Sequence, residues 1–346
     1  MLFRRALSTR WMAVTSTCGS TAAFATQLFP CYSTGPRRWM SERSDKKVDQ
    51  LDSKTDAANN NNNNEDEDDD GNLKPRVTTT TFGNGICHVR LNRPEKLNAC
   101  DMAMFEAIAE TAASLRRDKS IRAVILSGNG KAFCTGLDVK SVVRNPKSQI
   151  ERLLKRPSGY SSCGDDGDAN LAQDVSLLWR ELPVPVVAVL KGMCFGAGMQ
   201  IALGADFRFA SPDCQLSIME GKWGLIPDMG ASVLLKELVR IDVAKELTMT
   251  GRIVTGTEAA TLGLVTRVCK EDPMKEAEDF VKEFLLTRSP DAIACAKELY
   301  QSTWSNGSDK ECLELETKLQ RKLLLSWNQL AASGRSAFGV NVPYWK

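Results

Sequence analysis

The stretch GMCFGAGMQIALGADFRF, Gly192 to Phe209, carries the densest chemical signal in the chain. An apolar strand pattern runs into Gly196-Ala197-Gly198, and a helical pattern starts at once. Such a junction offers unpaired N–H groups and the positive end of a helix dipole, so it can hold developing negative charge. Phosphate signatures fit poorly, because neither G-x-x-x-x-G-K-[ST] nor a correctly placed G-x-G-x-x-G is present. Tight helix–strand packing is the plain alternative for such small residues. A second stretch, SGNGKAFCTGLDVK from Ser127 to Lys140, repeats the design with a sharp turn at Gly136 after another strand. Two such turns side by side would aim two amides at one point and form an oxyanion hole for a carbonyl gaining charge. The first polar side chain on the glycine-rich helix is Gln200, an amide that can orient a partner but cannot take its proton.

These turns need strands and helices to hold them. VTTTTF and ICHVRLN flank Gly83-Asn84-Gly85, which signals a hairpin, and order is expected to begin near Arg76. A helix is expected over about Cys100–Arg116, then strands in AVILSG, PVPVVAVL and DFRFA. Strands alternating with helices imply an α/β layer arrangement. Residues 157–170 read as a polar loop. From Thr255 the pattern turns helical: Thr255-Gly-Thr-Glu258 fits a capping box, Gly263 can end that helix, and 273–303 and 309–331 read as amphipathic helices. The divisions expected are 1–41, 42–75, 76–254 and 255–346. The first is acid-free with several Arg and Ser, the mark of a mitochondrial transit peptide and hence of a matrix location. The second holds the Asn59–Asn64 run followed by a run of six acids, Glu65–Asp70, and reads as a disordered linker.

Composition removes several function classes. A net charge of +2 across 346 residues gives no electrostatic case for nucleic acid, and no apolar run is long enough to span a bilayer. The 11 cysteines form no C-x-x-C pair, so no metal site is expected and the thiols read as reduced and mostly buried. The single histidine, His88, lies in ICHVRLN. Alternation there predicts Cys87, Val89 and Leu91 buried, with Ile86, His88 and Arg90 facing solvent.

Taken together, NRPEKLNA (92–99), GKAFCTGLDVK (130–140), VVAVLKGMCFGAGMQIALGADFRFA (186–210), LSIMEGKWGLIPDMG (216–230) and TGTEAATLGLV (255–265) resemble the crotonase, or enoyl-CoA hydratase/isomerase, superfamily. The resemblance covers about 77–300. It implies an α/β, crotonase-like spiral of β-β-α turns with a helical C-terminal trimerisation region. It also implies an acyl-CoA thioester substrate, no separate cofactor, and a homotrimer or dimer of trimers. On the family pattern the oxyanion donors are the N–H groups of Leu137 and Ala197. Leu97, Ala99, Lys131, Phe133, Thr135, Asp138, Val139, Lys140, Gly196 and Pro227 are the substrate- and CoA-binding positions. For Lys131 and Lys140 ordinary solvation is an equal alternative, and Asp138 also reads as a helix cap that holds Leu137 in place.

The reaction turns on three side chains. In the hydratase pattern two glutamates grip one water, and this sequence matches one with Glu220 but has Gln200 at the other. A positioned acid or base supplies on the order of 10²–10⁴-fold, so the amide weakens the case for hydration. Glu220 matches the single glutamate of enoyl-CoA isomerases, while Asp228 matches an aspartate of dienoyl-CoA isomerases. Turn capping is the alternative for Asp228, and an inert helical position the alternative for Gln200. The expectation is therefore a double-bond isomerase with Glu220, Asp228 and Gln200 at its centre. A hydratase with a modified water site is the runner-up, and a non-catalytic acyl-CoA- or RNA-binding homologue is the reading from another class.

Overall fold

The computed structural model describes residues 74–143, 146–160, 168–305 and 307–345. The leader expected over 1–41, and the linker expected over 42–75 except for its last two residues, lie outside these residues.

One sheet carries the molecule. Its strands are β1 (Val77–Thr81), β2 (Ile86–Leu91), β3 (Ala123–Gly128), β4 (Val186–Leu190), a fifth at Phe207–Ala210 and an edge strand at Arg267–Val268. In chain order the last two are β6 and β9, because β5 (Met193–Phe195), β7 (Gln215–Ser217) and β8 (Val254–Thr255) form a second, smaller sheet. The expected hairpin pairs β1 with β2 antiparallel, and every other pairing in the large sheet is parallel. Parallel strands need crossovers, which helices supply. These are α1 (Met102–Arg117), α2 (Val139–Val143), α3 (Pro146–Leu154), α4 (Leu171–Glu181) and α5 (Ala197–Leu203). Then come α6 (Ala231–Leu238), α7 (Ile241–Thr250), α8 (Gly256–Thr261), α9 (Pro273–Phe280), α10 (Pro290–Thr303), α11 (Asp309–Leu323) and α12 (Trp327–Phe338).

Both faces of the large sheet are covered, which explains the unbroken apolar runs in β3 and β4. Met104, Phe105 and Ile108 of α1 and Val175, Leu178 and Trp179 of α4 pack on one face. On the other, Ile86, Ile125, Val187, Val189 and Phe209 meet Ala277 of α9 and Val281 just beyond it. That second layer overturns the expectation for β2. Ile86 and His88 are buried, at 2% and 3% exposure, because residues from the far C-terminal region cover the face that alternation assigned to water. His88 sits under the edge of Phe82, 2.9 Å from Arg90 and 3.6 Å from Glu278. Burial, and then the Arg90 charge, hold its imidazole below the ordinary value, favouring the neutral ring.

Local signals set the helix ends. Asp101 caps α1 by accepting from Met104 N–H at 2.8 Å, so this helix starts two residues later than expected. A full capping box of Asn170 and Gln173 opens α4, a helix absent from the expectations. Thr255 caps α8, but Glu258 turns to Arg252 instead of closing the box. The helix expected over 273–303 is broken: a π turn at Val281–Leu285 ends the first piece, and Ser289 with Pro290 caps the second. Among the described residues the cysteines are all free and, except for Cys312, buried. No helix there is long and apolar enough to cross a membrane.

Candidate active site

Strand β5 ends at Phe195, and Gly196 makes the turn into α5 with φ 51°, in the left-handed region that favours glycine. Gly196 N–H donates to Ser217 O at 2.9 Å, and its carbonyl accepts from Gln200 N–H at 3.0 Å. Ala197, first in the helix, presents an N–H with no acceptor among the described residues. The second turn runs alongside. Cys134 N–H donates to Met193 O at 3.1 Å, and Phe195 N–H donates to Cys134 O at 2.9 Å. Gly136 then reverses the chain at φ 100°. A methyl placed on Gly136 would lie 3.1 Å from Phe195 O and 3.7 Å from Ala197 N, so the two turns are in van der Waals contact. Beyond Gly136 the chain pairs with Cys100: Cys100 N–H donates to Gly136 O at 2.8 Å, and Asp138 N–H to Cys100 O at 2.9 Å. The intervening Leu137 N–H has no acceptor among the described residues. Two unused amides thus sit on adjoining turns.

A carboxylate lies against the first of these turns. Glu220 opens a short 3₁₀ turn, Glu220–Trp223, and is 9% exposed. Its Oε1 would be 3.4 Å from a methyl on Gly196, which puts the carboxyl against the first turn. The same Oε1 accepts from Gln200 Nε2 at 2.7 Å, while Gln200 Oε1 accepts from Met229 N–H at 2.8 Å. Oε2 is buried and has no partner among the described residues. Burial raises the Glu220 carboxyl above its ordinary value; the Gln200 bond and nearby amides offset part of this, and the Asp228 charge adds to it. Asp228 is exposed as a residue, yet partial loss of water around its carboxyl raises it too. Gln200 is fully buried, with a polar group at each end, so it fixes Glu220 and the 228–229 backbone rather than lying inert on the helix.

The other expected positions divide. Leu97, Ala99, Thr135, Asp138 and Pro227 are half-buried around the turns, whereas Lys131, Val139 and Lys140 are exposed on the same loop. Thr135 donates both N–H and hydroxyl to Leu97 O, at 3.2 and 3.4 Å. Phe133 departs from its expected role as a ligand contact. Its side chain is wholly enclosed in the core, and its N–H is taken by Lys191 O and Met193 O. Asp138 caps as expected, accepting from Ser141 N–H at 3.3 Å, but it also receives Arg93 Nη1 at 2.8 Å. Partial burial opposes its ionisation; Arg93 and the local amides outweigh that and hold its carboxyl below the usual value.

Arg93 and Asn98 are the residues the sequence reading passed over, although both lie within NRPEKLNA. Asn98 is fully buried, accepts from Arg93 N–H at 2.8 Å, and donates to Asn129 O and Ala132 O at 2.9 Å each. It follows Leu97 in the left-handed region, with φ 51° for Leu97 and 57° for Asn98. An asparagine between apolar residues is the one local hint of that conformation, which Asn tolerates better than most.

Residues 81–338 match the family model described as "Enoyl-CoA hydratase/isomerase". The chain is 31% identical over 224 residues to the carnitinyl-CoA dehydratase of Salmonella typhi, a match covering 64% of this chain and 79% of the relative. Among solved structures it resembles an enoyl-CoA hydratase of Mycobacterium smegmatis, with 28% identity, a TM-score of 0.66, and coverage of 77% and 96% of the two chains. An enoyl-CoA hydratase of Polaromonas sp. JS666 matches similarly: 26% identity, TM-score 0.66, coverage 78% and 99%.

Proposed function

The chain belongs to the enoyl-CoA hydratase/isomerase family, with the crotonase fold, and from that premise we propose that it shifts a carbon–carbon double bond in an unsaturated acyl-CoA. The carrying observation is the Glu220 carboxyl: one oxygen is held by Gln200, and the other is buried with no partner among the described residues. A thioester oxygen received by the Leu137 and Ala197 amides becomes an enolate oxygen when a proton leaves the neighbouring carbon. Oε2 of Glu220 takes that proton and returns it farther along the chain. The electron pair moves through the enolate, and the carboxylate is regenerated. A carboxyl raised by burial suits both halves, since it binds a proton more readily than an exposed glutamate and still releases it. Asp228, close enough to raise Glu220 further, extends the relay for a longer conjugated substrate.

Hydration or its reverse is the second reading, favoured by the carnitinyl-CoA dehydratase and enoyl-CoA hydratase relatives. Against it, Gln200 cannot serve as the second base for a water, and its two ends are already engaged by Glu220 and Met229. Product analysis separates the two. With 3-enoyl- and 3,5-dienoyl-CoA we expect conjugated products of unchanged mass, formed much faster than water adds to 2-enoyl-CoA. A 3-hydroxyacyl thioester, heavier by one water, as the dominant product would replace the isomerase reading with the hydratase one. The proposal includes a homotrimer or dimer of trimers: Trp304 just past α10, Leu325 in the turn between α11 and α12, and Trp327 and Phe338 of α12 stand exposed, apolar area that a second subunit would cover.

A further inference from the structure

We infer that Arg93 is a positioning residue for the Leu137 amide, acting through Asp138; this rests on the proposal that the Leu137 amide receives a thioester oxygen. The direction of that N–H is set by the peptide planes on either side. Both hang on Cys100, whose N–H holds Gly136 O and whose carbonyl holds Asp138 N–H. Such a two-bond ladder is short, Gly136 adds no side chain to pack, and Leu137 is only half-buried. Something must stop it from sliding. Arg93 spans it: a single nitrogen, Nη1, donates to Ala99 O at 3.1 Å on one side and to Asp138 Oδ2 at 2.8 Å on the other.

The brace is itself anchored. Arg93 is 5% exposed, its N–H is fixed by Asn98, and its Nη1 lies 3.7 Å from Asp101 Oδ2. Asp101 caps α1 and also binds Arg76 Nη2 at 2.8 Å. A guanidinium at this depth ties the start of the first long helix to the residue after the donor. Its Nη1 thus grips the residue before Cys100 on one side of the ladder and the residue after Leu137 on the other, bracketing the Leu137 amide.

The test uses the full chain and cinnamoyl-CoA, whose conjugated carbonyl absorbs farther to the red when hydrogen bonds polarise it. Wild-type protein is expected to give a clear red shift on binding. Arg93→Met should bind with less than half of that shift, and kcat for the isomerisation should fall on the order of 10²-fold, as a misplacement near 1 Å does. KM should change little, because CoA contacts elsewhere persist. Asp138→Asn, a milder change at a half-buried position, should lose part of the shift, and Arg93→Lys should restore part of it. A full red shift in folded Arg93→Met and Asp138→Asn would overturn the inference. So would variants whose circular dichroism shows lost structure in proportion to lost shift, since the role would then be general stability. No red shift in the wild type would instead remove the thioester reading, and the inference with it.

Discussion

The two halves of the candidate site are built differently. The amide half, residues 132–138 and 193–198, is made of backbone, includes β5 of the smaller sheet, and is held by backbone bonds among its two segments, Cys100 and Ser217. The carboxylate half, residues 220–230, is a 3₁₀ turn and a loop. It exposes Trp223, Leu225 and Ile226 at 64%, 58% and 74%, and is tied to the first half through Gln200. The contrast separates two tasks. Polarising a thioester needs donors fixed before reaction, and close packing supplies that. Choosing which carbon gives and receives a proton depends on a few side chains on a looser segment, where sequence change is cheap.

Removing the acid-bearing side chain should have the largest effect. Glu220→Gln keeps shape and a bond to Gln200 but loses the base, and turnover is expected to drop on the order of 10³-fold with substrate affinity nearly unchanged. Steady-state kinetics on a 3-enoyl thioester would show it. Activity close to wild type would dissolve the division of labour, because the carboxylate half would then be idle.

Gly136→Ala attacks the opposite half. The new methyl meets Phe195 O at 3.1 Å and the backbone is held at φ 100°, so the turn must shift and carry Leu137 with it. A loss of one donor implies about 10²-fold in kcat. Equal losses for isomerisation and for hydration of 2-enoyl-CoA would sharpen the comparison, whereas a loss confined to one reaction would blur it.

The smallest effect concerns pH and stability. Burial, chiefly, raises Glu220 above its ordinary value of 4.5, so the folded chain binds this proton more tightly than the unfolded one. Its contribution to stability is complete below 4.5 and is lost as pH rises through the folded value. In Glu220→Gln the decline of unfolding free energy across that interval should be shallower, as read by denaturant titrations at several pH values. Identical slopes would show that the pocket does not desolvate this carboxyl.

How much of this was legible from residue types alone follows the same division. The two turns could be read because glycines stand between a strand pattern and a helix pattern in both stretches, a repetition that tight packing alone does not call for. Gln200 was legible as an amide out of pattern, but not its partners, which lie 20 and 29 residues away in a segment with no periodicity. His88 was misplaced because alternation reports one face of a strand, and the cover on the other comes from Ala277 and Val281. The Arg93–Asp138 pair spans 45 residues, so no local spacing could announce it. Phe133 is a substrate- or CoA-binding position only on the family resemblance, whereas the chain turns its ring into the core.

Because the Leu137 and Ala197 donors are peptide nitrogens, no codon change deletes either one while leaving the turn intact. Every substitution there alters shape and leaves the N–H in place, proline excepted. Proton concentration cannot titrate them, and selection can tune them only through what surrounds them. Replacing one peptide link by an ester, in a chemically assembled chain, is the direct way to ask what a single such hydrogen is worth.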